Sequence, residues 1–373
     1  MGRTMDSFGS RTGKQMKFRP HLLFFALLVC AQPMVAQSSE WVFPSKAGDP
    51  LIWGRKDGVV FGLPSDGGMP GPRGLIRVGT IDHRTGKANL LNFIAVEPAT
   101  KGKKPRGDRM AFSELEKSQM DRGMHGAKLW VSPKSAGPIE GEQKVSGSLE
   151  KKVVDGREVE FLSVRVEIER FVQNGAHVYL VLSMESDLPE EVHFSAFPYS
   201  DSKPLDEVVF TATMGAYERL RLLWLKDRVI DSRKLYPTYT GYDFAEMDPY
   251  PFKDMLREQD GSAIALCTSS EQSPAQVRNP QAKANWYYGG GRLTQYWRVS
   301  AKDIAANLRV RVNGRHTYWQ SKDEIPGGTT FENFELREQF EPGQTFIFGV
   351  SEKEPSEWVP PLVGVGPPPA LDK

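Results

Sequence analysis

An alternation with a period of two constrains this chain more than any other feature of its sequence. Val178, Leu180, Leu182 and Met184 are interleaved with His177, Tyr179, Val181 and Ser183. Side chains spaced this way fall on opposite faces of a strand. The rhythm recurs. Leu51-Ile52-Trp53 and Val59-Val60-Phe61 flank Lys56-Asp57-Gly58, a hairpin signature whose glycine can take positive φ. Val159 and Phe161 share one parity, and Val164, Val166 and Ile168 the other, so a β-bulge is expected between them. Val310 and Val312 alternate up to Asn313-Gly314, which reads as a two-residue turn returning through Arg315 to Trp319. Phe346, Phe348 and Val350 close the series.

Helical signal is thin. Short helices are expected at 112–120, 254–259 and 302–307. Segment 214–228 fits either period, and its strand-rich surroundings favour a strand. Many strands with frequent turn signals predict an all-β fold, a large antiparallel β-sandwich with few short helices. One domain is expected over residues 37–357, followed by a loose Pro/Gly-rich tail over 358–373. No repeat of roughly 20–50 residues is present, which argues against a propeller or solenoid. The run Lys101-Gly102-Lys103-Lys104-Pro105-Arg106 reads as a solvated basic loop.

The first 36 residues have a different character. Lys17 and Arg19 precede the apolar run 22–31, and small residues near Ala31 and Ala36 offer cleavage points. That order is a secretory signal peptide, and the run falls short of the ~18 apolar residues of a membrane span. Met16 directly precedes it, so residues 1–15 read as an over-extended start. A secreted or periplasmic protein is expected, with no transmembrane span once the signal is removed. The whole chain has 48 basic and 47 acidic residues, and removal of residues 1–36 leaves 43 and 46. This balance excludes a general nucleic-acid binder. Cys267 would then be the lone cysteine, set in the apolar stretch Ala263-Ile264-Ala265-Leu266 and expected to be a buried, inert thiol.

There is no H-E-x-x-H, G-x-S-x-G or P-loop. His83, His125, His177, His193 and His316 show no metal-ligand spacing, so neither a metal nor a cofactor is expected. Acid–base chemistry through carboxylates and histidine remains open, and four segments are dense enough in polar and aromatic groups to carry it. In Asn92-Phe93-Ile94-Ala95-Val96-Glu97-Pro98, Glu97 ends an apolar strand where burial would raise its pKa; the plainer reading pairs it with Arg73 or Arg77. In Phe331-Glu332-Asn333-Phe334-Glu335-Leu336-Arg337, simple alternation puts Glu332 beside Phe334 and Leu336, and Glu335 with Phe331 and Asn333. Glu332 would join Glu97 as an acid–base pair, or else pair with Arg337. Aromatics from Trp286 to Trp297, with Trp319, could stack on sugar rings, although aromatics in all-β proteins are more often core. Arg73, Arg77 and His83 lie near turns and could hold a hydroxyl-rich or anionic ligand, or serve as surface charge.

Segments 71–77, 92–98, 112–116, 211–215, 294–298 and 326–336 together resemble an uncharacterised family of secreted bacterial proteins, which implies export and no particular activity. More remotely, the strand order is similar to the galactose-mutarotase-like β-supersandwich of sugar epimerases and polysaccharide-degrading enzymes. In mutarotases a late glutamate acts as base and histidines as acid; Glu332 is the nearest positional match, and the histidine motifs are missing. The resemblance implies a carbohydrate partner. The expectation is a secreted carbohydrate-active protein, catalytic through Glu97 and Glu332. Arg73, Arg77, His83, Asn92 and Glu335 would bind substrate, and Trp297 and Trp319 would stack on it. The alternative is a non-catalytic glycan-binding or envelope-interaction protein.

Overall fold

The structure is a computed structural model. It describes residues 40–46, 48–63, 76–83, 85–101, 127–131, 147–171, 174–213, 218–241, 245, 248–269, 294–318 and 322–365. The expected signal segment, the basic loop beyond Lys101, the helix at 112–120, Arg73 and Trp319 lie outside these residues.

The chain alternates between two sheets. Strands β1 (Trp41–Val42), β2 (Ile52–Arg55), β3 (Val59–Gly62), β4 (Ile76–Asp82) and β5 (Lys87–Thr100) lie side by side in the first. The second takes β6 (Leu129–Val131), β7 (Ser148–Val154), β8 (Arg157–Ile168), β9 (Val178–Glu185) and β10 (Glu191–Pro198). Next, β11 (Leu205–Thr213) returns to the first sheet, while β12 (Leu220–Leu225) and β13 (Arg228–Asp231) join the second. A one-turn helix α1 (Ser232–Leu235) follows, with Asp231 accepting from the Arg233 amide as its cap. The first sheet is completed by β14 (Asp248–Pro251), with β18 (Arg309–Arg315) and β19 (Thr330–Gln339) coming later. The second is completed by β15 (Leu256–Arg257), β16 (Ala263–Ser269), β17 (Thr294–Val299) and β20 (Thr345–Ser351).

The first sheet therefore runs β1-β2-β3-β4-β5-β11-β19-β18-β14. The second runs β13-β12-β16-β17-β20-β10-β9-β8-β6, with β15 and β7 attached to β16 and β8. Every pairing is antiparallel. This is an all-β antiparallel sandwich.

One core lies between the sheets, built from the inward parity of each strand. Ile94, Val96, Phe210, Leu336 and Val310 come from the first sheet, and Val164, Leu180, Phe194, Trp297 and Phe348 from the second. The alternation of β9 is visible directly, since its odd-numbered residues are partly exposed and its even-numbered ones buried.

Four details differ from the expectations. The parity change in β8 involves no bulge, because its pairing with β7 and β9 is continuous and Val159 is buried on the outward side. Asn313-Gly314 is no turn. Both residues lie inside β18, and a Cβ on Gly314 would sit 2.8 Å from the Tyr236 ring and from Thr329. At 254–259 a 3-10 turn (Phe252–Asp254) and β15 replace the helix, and 302–307 forms turns. Finally, residues 358–365 pack down rather than hang loose: Val363 bridges Arg257, Val365 bridges Lys226, and Leu362 is buried.

Candidate functional site

Because Val96, Phe210, Leu336 and Val310 face the core, their neighbours in sequence form the outward face of the first sheet. Register arranges these neighbours in rows. One row runs Ala95, Thr211, Glu335, Arg311, and the next runs Glu97, Val209, Arg337, Arg309. A third begins Arg77, Phe93, Thr213. The face is polar, yet Glu97, Thr211, Arg311, Glu335 and Arg337 are all buried.

Glu335 is its centre. Thr211 stands across from it on β11 and Arg311 across on β18, with Arg337 two residues along the same strand. Burial pushes the Glu335 carboxyl up to about 7, against the pull of Arg311 and Arg337. Its Oε1 and the Thr211 hydroxyl find no hydrogen-bond partner among the described residues. Such groups are costly to bury and mark a place where function competes with stability. A carboxyl titrating near neutrality can both take and release a proton at physiological pH.

The arginines are held from below. Arg337 Nε donates to Glu207 Oε2 at 2.9 Å, and Arg309 Nη2 donates to Oε1 at 2.9 Å. Burial would raise the Glu207 carboxyl, but the two arginines keep it below its ordinary range. Arg337 thus answers Glu207, where the sequence suggested Glu332. Arg77 lays its guanidinium 3.8 Å above the Phe93 ring, a cation–π contact on the same face.

Glu332 is positioned differently from the simple alternation. Gly314 pairs with Phe331 and Asn313 with Asn333, so Glu332 is the extra residue of a bulge. Phe331 consequently joins Phe334 and Leu336 in the core instead of facing outward with Glu335. The bulge also separates the expected catalytic pair. Glu97 and Glu332 are divided by β11 and by five residues along β19, which puts their backbones on the order of 15–20 Å apart. Paired glycosidase carboxyls are about 5–10 Å apart. The rows bring Glu97 nearer to Glu335, across the same intervening strand but only one row away.

The remaining predicted residues lie elsewhere. Asn92 points between the sheets, where its Oδ1 accepts from Gln295 Nε2 at 2.8 Å. Gln295 also donates to Glu218, whose carboxyl burial pushes up to about 8. Trp297 is fully buried and donates Nε1–H to the Phe334 carbonyl at 2.8 Å, so it ties the sheets together and presents no stacking surface. His83 is exposed in the turn between β4 and β5. Thr211 and Arg311 were not anticipated. Arg311 had a readable signal, as a charge set between the core residues Val310 and Val312.

Among the described residues no three His, Cys, Asp or Glu side chains gather as a metal-ligand set, and no helix is long and apolar enough to cross a membrane. Cys267 is fully buried, and burial raises its thiol well above the ordinary range, which leaves it unreactive. No family model matches the chain, and no curated protein does. A solved structure, "Crystal Structure Analysis of HI1317", aligns over 83% of this chain and 99% of its own at 7% identity. Its TM-score is 0.21, too low to carry an argument about fold or function.

Proposed function

We propose that this is an exported carbohydrate-active protein that works on the outward face of its first sheet, with Glu335 as the acid–base group and Glu97 as the second carboxyl. The observation that carries the reading is Glu335, a carboxyl near pKa 7 set between Arg311 and Thr211 with one oxygen unspent. Hydroxyl-rich ligands need donors and acceptors in close alternation, which Thr211, Glu335, Arg311 and Arg337 supply. Acid–base work on a glycosidic or hemiacetal oxygen needs one group that exchanges protons near neutrality. The mutarotase-like resemblance agrees with a late glutamate in this role, moved from Glu332 to Glu335.

A second reading, a glycan-binding protein without turnover, uses the same row of Thr211, Glu335 and Arg311 for hydrogen bonding alone and needs no proton exchange at Glu335. Thermal unfolding of the full chain against a panel of neutral oligosaccharides tests both, because a ligand of the folded state raises the midpoint by mass action. For the enzyme, Glu335→Gln retains binding and loses product release. Binding with no product from the unaltered chain selects the second reading. No midpoint shift with any glycan overturns both.

A further inference from the structure

The outward face of the second sheet holds a cleft of about 580 Å³, well away in the fold from the row of Glu335. Strand pairing sets its floor. Tyr296, Gly349 and Glu191 make one cross-strand row, and Arg298, Ile347 and His193 make the next. Gly349 is the permissive position, since a Cβ there would lie 2.0 Å from the Tyr296 ring. With none present, Tyr296 crosses β20 and donates its hydroxyl to Glu191 Oε1 at 2.9 Å. Arg298 crosses the same strand to Glu191 Oε2. Glu258 and Asp260 stand on one wall, and Trp358 on another, its ring meeting Tyr296 edge-on at 5.3 Å.

Acids outnumber bases in this lining, which at first suggests a cation. Most of those acids are already answered. Arg55 holds Asp57 with two bonds of 2.8 and 2.7 Å, and the Ser262 amide and hydroxyl hold Asp260 at 2.8 and 2.9 Å. Glu191 accepts from Tyr296 and Arg298, and although burial would raise its carboxyl, His193 and Arg298 keep it below the ordinary range.

What remains unspent is a matched set. Arg298 Nε has no hydrogen-bond partner, and Nη1 stands 3.6 Å from Glu258 Oε2, too far for a good hydrogen bond. Glu258 correspondingly keeps acceptor capacity, and burial raises its carboxyl. Spare donors beside spare acceptors suit adjacent hydroxyls, each of which accepts and donates. The half-buried Trp358 adds an apolar ring surface at the rim, where the C–H face of a sugar packs well.

We propose that this cleft is a second ligand site, one that takes a neutral pyranose with vicinal hydroxyls held by Arg298 and Glu258 and its C–H face against Trp358. It shares no residue with the first-sheet face and does not rest on that reading.

The test is calorimetric titration of the full chain with neutral hexose and pentose oligosaccharides, with spermidine and tetramethylammonium as the cationic arm. Glu258→Ala and Trp358→Ala are each expected to weaken sugar binding at least tenfold, while Glu335→Gln leaves this binding unchanged. Circular dichroism and the thermal midpoint verify folding, and Glu258→Gln replaces the alanine variant if that one does not fold. Sugar binding unmoved by both cleft variants overturns the proposal, as does a cleft that takes the cations and no sugar. Loss of sugar binding confined to Glu335→Gln overturns the cleft; the first-sheet reading is judged separately, by product release, which Glu335→Gln is expected to abolish and the cleft variants to leave unchanged.

Discussion

The two outward faces of this sandwich solve the same problem in opposite ways. On the second sheet, Leu222, Trp224, Ile264, Leu266 and Tyr296 form an apolar patch, and Leu362 with Trp358 and Val365 covers it. Burying that patch is favourable by itself, at about 25 cal/mol per Å². On the first sheet, Glu97, Thr211, Arg311 and Glu335 are buried at a desolvation cost, and the Thr211 hydroxyl and one Glu335 oxygen have no hydrogen bond among the described residues to offset it. One face therefore follows from stability, and the other runs against it. Local conflict of that kind concentrates at working sites.

The largest effect that would sharpen this contrast is a pH dependence of stability. Glu335 titrates at about 7, and two other buried carboxyls, Glu218 and Glu338, at about 8, all raised by desolvation from an ordinary value of 4.5. Between pH 4.5 and 8 the folded chain keeps protons that the unfolded chain has released, so stability falls as pH rises. Each group contributes on the order of a few kcal/mol across that window. Carboxyls held low, such as Glu191, Glu207 and Asp231, act in the opposite sense, and their contribution is lost only as pH falls below about 4.5. The thermal midpoint should therefore be highest near pH 5 and lower at pH 8. Glu218→Gln and Glu338→Gln should flatten the slope. A midpoint that climbs from pH 5 to pH 8 would refute the raised carboxyls.

The apolar face predicts a smaller effect with no pH signature. Leu362→Ala removes the buried plug of the C-terminal segment and should cost about 2–3 kcal/mol, measured by denaturant unfolding, with the pH slope unchanged. A loss below about 0.5 kcal/mol would mean that the segment does not cap the patch.

The comparison also marks what the sequence could disclose. Period-two alternation is a local property, so β9, the β2–β3 hairpin and β20 were legible from their own residues. Bulges are properties of two strands at once. The extra residue at Glu332 is visible only when β18 is laid against β19, and it moved Phe331 into the core and took Glu332 out of the alternation, while Glu335 kept the face that simple alternation gave it. Trp297 gave a similar ambiguity, since alternation fixes its parity and not which parity is buried. The tail misled for another reason. Its prolines suggest looseness, but Trp358 and Leu362 supply enough apolar surface to dock it.

The smallest predicted effects bear on the floor of the cleft. Tyr296→Phe deletes one hydrogen bond to a charged acceptor and should cost about 1–2 kcal/mol. Gly349→Ala leaves every polar group in place but puts a methyl where the Tyr296 ring lies, and overpacking of that kind costs about 1–3 kcal/mol. If Gly349 matters because it lets Tyr296 cross β20, the two changes are not independent. In the Gly349→Ala background the tyrosine has already lost Glu191, so Tyr296→Phe should then cost almost nothing. The double-mutant cycle measures this directly, with a coupling of about 1 kcal/mol expected. Additive losses would show that Gly349 is required by β20 itself, and that the crossing of Tyr296 is incidental to it.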